Sequence, residues 1–270
     1  MSRSRINVTF GTYIIILLAI GSSASGEVVR NLQEKGFGKI YLCEDWESAN
    51  DAVKEQVFCD YIQKKSIDLS GEYIDLANHK ILNPLKHPRV YRQMLTGTFF
   101  SEIIVPGMYN DDKYGNLQQL DEIKSRIGGA KCVLDIGACA GLFSIMVSGI
   151  AENVWAFEPS EAIRFYLIKN TELCGNVHVE SFGILNEKGK KTFYDVSDYP
   201  KYSGFVERDG AVPYQVMTTN VDYWCEDMGI KPDVIRIDAT DCLVEIMDGA
   251  KNTIKEYDPV IIIGTKIVDV

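Results

Sequence analysis

Short apolar runs alternate with longer amphipathic stretches in the second half of this chain. A run of this length, bounded by polar residues or glycine, is typical of a buried strand rather than a helix. The runs that we interpret as the strands of one sheet lie at 132–136, 154–157, 177–182, 234–238 and 260–263. Residues that alternate in polarity at 191–195 and 214–218 predict a separate hairpin.

The stretches between these runs have apolar residues at helical spacing. They predict helices at 117–127, 142–150, 160–174 and 241–255, and Ser160 is the expected N-cap of the third. Strands that alternate with helices indicate an α/β fold. We therefore expect a doubly wound, mostly parallel Rossmann-like sheet with helices on both faces, formed by residues 117–270.

The first part of the chain has a different pattern. In residues 27–116, apolar positions recur at roughly helical spacing, which predicts a mainly helical N-terminal region or lid. Within residues 1–26, Arg3 and Arg5 precede an apolar run that small residues follow, the layout of a signal peptide. A membrane anchor is a second interpretation, although the run is shorter than the ~20 residues of a span. An ordinary apolar segment packed on the domain is a third.

Composition narrows the class of partner. The chain has 270 residues, 46% of them hydrophobic, and a formal net charge of −10. This acidic balance, without a cluster of Lys and Arg, argues against a nucleic-acid partner, because phosphate contacts supply most of such affinity. The seven cysteines lack metal-ligand spacing, so we expect buried free thiols, no metal site and a reducing compartment. The expected location is the cytoplasm, with membrane association if the N-terminal run is an anchor.

Three acidic residues stand at the ends of predicted strands. In an open parallel sheet, ligands bind outside the carboxyl ends of the strands, and Asp135, Glu158 and Asp238 occupy such ends. Gly137, Ala138 and Gly141 form a turn between the first strand and its helix, where glycine would let a ligand approach the backbone. The helix start could bind an anion such as the methionine carboxylate of S-adenosylmethionine.

Each of these residues has an expected role at such a ligand. Glu158 would accept hydrogen bonds from the ribose hydroxyls, and Asp135 would orient the turn or accept from the ligand's ammonium group. Phe182 and Gly183 would hold adenine, and Asp238 would position or deprotonate an acceptor hydroxyl. Each residue also has a simpler interpretation: Glu158 as a solvated acid at a strand end, Asp135 as a cap of the turn, and Phe182 as a core residue. A dinucleotide site is disfavoured, because Cys139 stands at the second glycine of the NAD pattern.

Taken together, these segments resemble the FkbM family of S-adenosylmethionine-dependent methyltransferases. The matching pieces occur in the family's order over about residues 117–264, at 133–144, 156–160, 232–238, 249–254 and 259–263. The resemblance implies an O-methyltransferase that acts on a small molecule or glycan. It also implies cofactor contacts at the two glycines of the turn and at two of the acids: Asp135, Gly137, Gly141 and Glu158.

The chain departs from the family after the fourth strand. The family usually reads Asp-Val-Glu-Gly-Ala-Glu there, whereas this chain has Thr240 and Asp241 in place of the first Glu and the Gly. Gly264 and Thr265 replace an acid and a His after the fifth strand, and few residues remain before Val270 for the last two strands. A non-catalytic relative that serves as a binding module is therefore the alternative to a methyltransferase.

Overall fold

The computed structural model describes residues 14–18, 39–43, 66–76, 79–90, 123–196, 200–264 and 266–268. The chain divides into two compact units, residues 1–64 and residues 65–270. In the first unit, strand β1 (Ile14–Leu18) pairs in parallel with strand β2 (Lys39–Cys43). Within the described ranges, no helix is long and apolar enough to cross a membrane.

The second unit contains the predicted sheet. Its strands are β3 (Tyr73–Leu76), β4 (His79–Leu82), β5 (Cys132–Ile136), β6 (Asn153–Phe157), β7 (Val177–Glu180), β8 (Gly183–Ile184), β9 (Gly189–Asp195), β10 (Val212–Thr219), β11 (Val234–Ile237), β12 (Val260–Ile263) and β13 (Lys266–Val268). Its helices are α1 (Leu142–Ser148), α2 (Glu161–Thr171), α3 (Val221–Met228), α4 (Leu243–Asp248) and α5 (Lys251–Tyr257).

The main sheet has the strand order β13-β12-β11-β5-β6-β7. All neighbouring strands are parallel except β13, which runs antiparallel to β12. The chain winds outward from β5 in both directions, so the topological switch point lies between β5 and β11. This order confirms the predicted doubly wound, mostly parallel Rossmann-like fold.

Helices cover both faces of this sheet because the strand side chains alternate. On one face, Val133 of β5 and Val154 of β6 pack against Phe143 of α1. On the other, Leu134 of β5 packs in a core cluster with Trp224 of α3 and the residues that share that face. Both faces are thus apolar over most of the length of the central strands, as expected of a parallel sheet.

Most predicted boundaries agree with the structure to within two residues, but helix α2 ends at Thr171 rather than at residue 174. Strand β7 ends at Glu180, before the predicted end at residue 182. The predicted helix at 241–255 is wrong as a single element, because a 3₁₀ turn (Thr240–Cys242) precedes α4 and a break separates α4 from α5. At the break, the carbonyl of Gly249 accepts a hydrogen bond from the amide of Asp222, outside its own helix. Glycine also has low helix propensity.

Several predictions lie largely outside the described residues. Of the predicted helix at 117–127, the structure describes 123–127 as helical. In the predicted helical region at 27–116, the described strands are β2, β3 and β4, and most of the remainder lies outside the described part.

The predicted hairpin is confirmed, since β9 pairs antiparallel with β10, and β8 joins β10 to complete a three-stranded sheet.

Candidate active site

The predicted cofactor turn has an unusual backbone. Gly137 and Gly141 have φ angles of 80° and 87°, and Cys139 between them has a φ of 49°. The amides of Gly137 and Ala138 both donate to the carbonyl of Phe157, at 3.1 and 3.0 Å. The turn that follows β5 is therefore attached to the end of β6.

Both glycines have φ angles in the left-handed region and pack closely against neighbouring elements. A Cβ at Gly137 would lie 3.1 Å from the backbone nitrogen of Ala239, and one at Gly141 would lie 2.6 Å from a methyl carbon of Leu167. The sequence suggested that glycine keeps space for a ligand at these positions. The bare Cα atoms let the turn pack against the end of β11 and against α2. The approach of a ligand to this backbone remains a prediction.

Glu158 lies directly after β6 and is 7% exposed. Its Oε2 accepts from the amide of Cys139 at 3.0 Å, and its Oε1 accepts from the amide of Ser160 at 2.7 Å. Burial raises the pKa of the carboxyl group to about 7, although both backbone donors act in the opposite direction. Glu158 thus joins the turn to the start of α2 and titrates near neutral pH.

Asp135 is fully buried beside a charged partner that the sequence analysis did not identify. Its Oδ2 accepts from Ser144 Oγ at 2.6 Å, and its Oδ1 accepts from Arg236 Nη1 at 2.8 Å. Both oxygens of Asp135 therefore have protein donors.

Arg236 connects four elements of the site. Besides Asp135, its guanidinium donates from Nη2 to Asp238 Oδ2 at 2.5 Å and from Nε to the carbonyl of Gly264 at 3.1 Å. Its Cζ lies 4.8 Å from the centre of the Phe143 ring. Burial acts to lower the pKa of Arg236, but Asp238 and Asp135 outweigh it and raise that pKa. The guanidinium therefore stays charged.

Asp238 follows β11, and its amide donates to the carbonyl of Ile136 at 2.9 Å. Its side chain is 36% exposed, in contrast to Asp135. The structure therefore brings Asp135, Arg236 and Asp238 together at the switch point and leaves Asp238 accessible from solvent.

Phe182 and Gly183 lie beyond β7, and they differ in their surroundings. Phe182 is half-buried and packs against the core cluster that contains Leu134 and Trp224. Gly183 is buried under the ring of Phe205, which a Cβ at this position would overlap. Phe205 belongs to the connection between β9 and β10 and was not identified from the sequence. The adenine contact at Phe182 and Gly183 remains a prediction.

The altered segment after Asp238 is accommodated by the same connection. The carboxylate of Asp241 lies against Gly204, where a Cβ would be 2.5 Å from Oδ2. Arg208 Nη2 lies 3.8 Å from the same oxygen. The side chain of Thr240 is outside the described residues. Within the described part of the chain, no group of three or more His, Cys, Asp or Glu side chains could hold a metal ion.

Residues 135–266 match the family model of the methyltransferase FkbM domain. No curated protein matches the chain significantly.

Solved methyltransferase structures are similar to it at low identity. A methyltransferase FkbM from Methylobacillus flagellatus is 15% identical with a TM-score of 0.40, covering 92% of this chain and 62% of that one. A precorrin-6y C5,15-methyltransferase from Geobacter metallireducens is 18% identical with a TM-score of 0.34, covering 54% and 58%. A putative methyltransferase from Streptococcus mutans in complex with SAH is 19% identical with a TM-score of 0.24, covering 27% and 42%. The chain thus spans less than two thirds of each of these proteins.

The family match includes every element of the candidate site. It begins at Asp135, contains the turn and Glu158, and continues past Arg236 and Asp238 to residue 266. The residues of the candidate site therefore lie within the segment of the chain that is similar to the methyltransferase FkbM domain.

Proposed function

We propose that this protein is an S-adenosylmethionine-dependent O-methyltransferase that acts on a hydroxyl group of a small molecule or a glycan. One observation carries the proposal. The sheet places Asp135, Glu158 and Asp238 around a glycine turn at the switch point, where open α/β sheets bind ligands.

The acceptor groups of the site suit this cofactor. Each oxygen of Glu158 accepts one backbone hydrogen bond and keeps a second lone pair, which a ribose hydroxyl could use. Both oxygens of Asp135 are engaged by protein donors, which favours its role in orienting the turn through Ser144 over direct contact with the ligand. Gly137, Ala138 and Gly141 would border the methionine end, with Phe182 and Gly183 on the adenine side.

Asp238 is the proposed catalytic residue. When bound, S-adenosylmethionine supplies a methyl group already activated by the positive sulfur. The protein then has mainly to align the acceptor, and such positioning can contribute about 7–11 kcal/mol. Arg236 holds one oxygen of Asp238, and the exposed carboxylate can accept the proton of an acceptor hydroxyl.

Binding and transfer should be measured separately. Calorimetry with S-adenosylmethionine and S-adenosylhomocysteine tests the cofactor site, and a labelled methyl group tests transfer to a panel of glycosides and hydroxylated small molecules. Asp238→Asn should lower turnover about 100-fold or more, while affinity for S-adenosylhomocysteine changes little. Asp241→Asn is the matched control, since it removes a nearby carboxylate that has no proposed catalytic role.

The outcomes separate the candidate functions. If the wild-type protein bound neither compound, the methyltransferase proposal would fail. Binding without transfer to any acceptor would favour a non-catalytic binding module, which the altered residues after Asp238 make the second candidate. Unchanged turnover in Asp238→Asn would remove the role of this residue alone.

A further inference from the structure

We propose that Asn170 is a positioning residue for the cofactor turn, and that it makes the turn depend on the docking of β4, a strand outside the matched family domain. This inference rests on the proposed cofactor site. It assigns a role in cofactor binding to a part of the chain, residues 79–82, that precedes residues 135–266.

Asn170 contacts both segments through one buried amide. The side chain is 1% exposed, its Nδ2 donates to the carbonyl of Ala140 at 2.8 Å, and its Oδ1 accepts from the amide of Leu82 at 2.9 Å. These two partners fix the orientation of the amide. In the reverse orientation, Nδ2 would face the N–H of Leu82 and Oδ1 would face the carbonyl of Ala140, and neither hydrogen bond could form. The planar amide couples its donor to its acceptor, so a shift of β4 is transmitted to Ala140.

The neighbours of Asn170 on α2 leave the turn little freedom. Leu167 and Thr171 are four residues apart on α2, so they share one face of the helix, and both lie against Gly141. A Cβ at Gly141 would be 2.6 Å from Leu167 Cδ1 and 3.2 Å from Thr171 Cγ2. Helix α2 is therefore fitted directly onto the residues that precede α1.

The same helix also holds the carboxylate on the ribose side. At the start of α2, the amide of Ser160 donates to Glu158 Oε1 at 2.7 Å. Near its end, Asn170 binds the turn, and Glu172 Oε2 accepts from Tyr73 Oη of β3 at 3.2 Å. One rigid helix thus sets the spacing between Glu158 and the turn, and the β3–β4 hairpin is bonded to that helix.

A residue that only stabilises the fold would lower stability without a specific effect on affinity. Asn170→Asp keeps the acceptor for Leu82 but places an oxygen opposite the carbonyl of Ala140. We expect its dissociation constant for S-adenosylhomocysteine to rise about tenfold, the equivalent of one buried hydrogen bond. Asn176→Asp is the matched control, because Asn176 Nδ2 also donates to main-chain carbonyls, those of Ser148 and Ala151 at 2.9 Å, but at the end of α1 that is remote from the turn. Its affinity should stay within about twofold of the wild type.

Calorimetry with S-adenosylhomocysteine on the full chain, alongside urea unfolding, tests this inference. Amide hydrogen exchange in the wild type adds a measurement that needs no variant: saturation with S-adenosylhomocysteine should slow exchange at Leu82. Lower stability of Asn170→Asp with unchanged affinity, or an unchanged exchange rate at Leu82, would overturn the inference. If Asn170→Asp does not fold, the exchange rate decides. A wild type that binds no S-adenosylhomocysteine would instead overturn the proposed function, and this inference with it.

Discussion

Asp135 and Glu158 are buried carboxylates on neighbouring strands, yet their surroundings differ. Asp135 is bonded to a guanidinium and a hydroxyl, from Arg236 and Ser144. Glu158 is bonded to two backbone amides, and burial raises its pKa to about 7. The two acids also differ in position, because Asp135 lies within β5 opposite Ala156, whereas Glu158 follows the last residue of β6. Asp135 is balanced by charge, whereas each oxygen of Glu158 keeps a lone pair that the proposed ribose contact would use.

The largest expected effect comes from removing the cation beside Asp135. Arg236→Met would leave the carboxylate of Asp135 buried without its charged partner, because Ser144 is its other hydrogen-bond donor. Breaking a buried ion pair in this way costs about 3–5 kcal/mol. Urea unfolding should show that loss in the free energy of unfolding.

The control for this change is Arg236→Lys, which keeps a positive charge but loses the planar set of donors. It should be less destabilised than Arg236→Met. If Arg236→Met lost under about 1 kcal/mol, the charge balance at Asp135 would not be what stabilises this side of the site.

The second largest expected effect is that stability and cofactor affinity change with pH because Glu158 titrates. Its pKa rises from 4.5 to about 7 in the folded protein, so the folded state holds this proton more tightly than the unfolded state does. The contribution of Glu158 to stability should therefore be greatest below about pH 4.5 and decline as the pH rises towards about 7. The proposed ribose contact needs the carboxylate, so affinity for S-adenosylhomocysteine should increase about tenfold from pH 6 to pH 8.

Calorimetry at several pH values measures this dependence. Glu158→Gln should bind more weakly and lose the pH dependence, because its amide does not titrate in this range. An equal pH dependence in the variant would assign the effect to another group.

The smallest expected effect comes from Ser160→Ala, which removes the side-chain cap of α2 but keeps the backbone amide that binds Glu158. Ser160 Oγ accepts from the amide of Ile163 at 3.3 Å and caps α2, whereas the amide of Ser160 donates to Glu158. Ser160→Ala should lower the free energy of unfolding by about 1 kcal/mol. The pH dependence of binding should persist, since the backbone donor remains. Its loss would show that Glu158 depends on the hydroxyl group.

The fold was predictable where a single physical rule determined the element. Buried parallel strands need apolar side chains on both faces, so the runs at β5, β6 and β12 were visible in the sequence. The prediction of one helix at 241–255 was wrong because apolar residues keep their helical spacing on both sides of Gly249. The break at Gly249 involves a hydrogen bond with Asp222, which is distant in the sequence. Helical spacing alone does not report such contacts.

The site was only partly predictable for a similar reason. The strand-end acids follow from the fold. Arg236 is a charged residue inside an apolar strand, and this pattern alone indicates that it needs a charged or polar partner. Strand register supplies that partner, because Arg236 lies opposite Asp135. Asn170 and Phe205 reach the site through packing between elements distant in sequence, and no local pattern reveals them.

The contact between Gly204 and Asp241 has an evolutionary consequence. The carboxylate of Asp241 occupies the space that a side chain at position 204 would need. A relative with glycine at the position of Asp241 is free of that restriction, so its residue 204 can vary. The two positions should therefore covary among relatives, with a small residue at one accompanying a larger one at the other. The departure from the family pattern at Asp241 would then be a compensated exchange rather than isolated decay of the site.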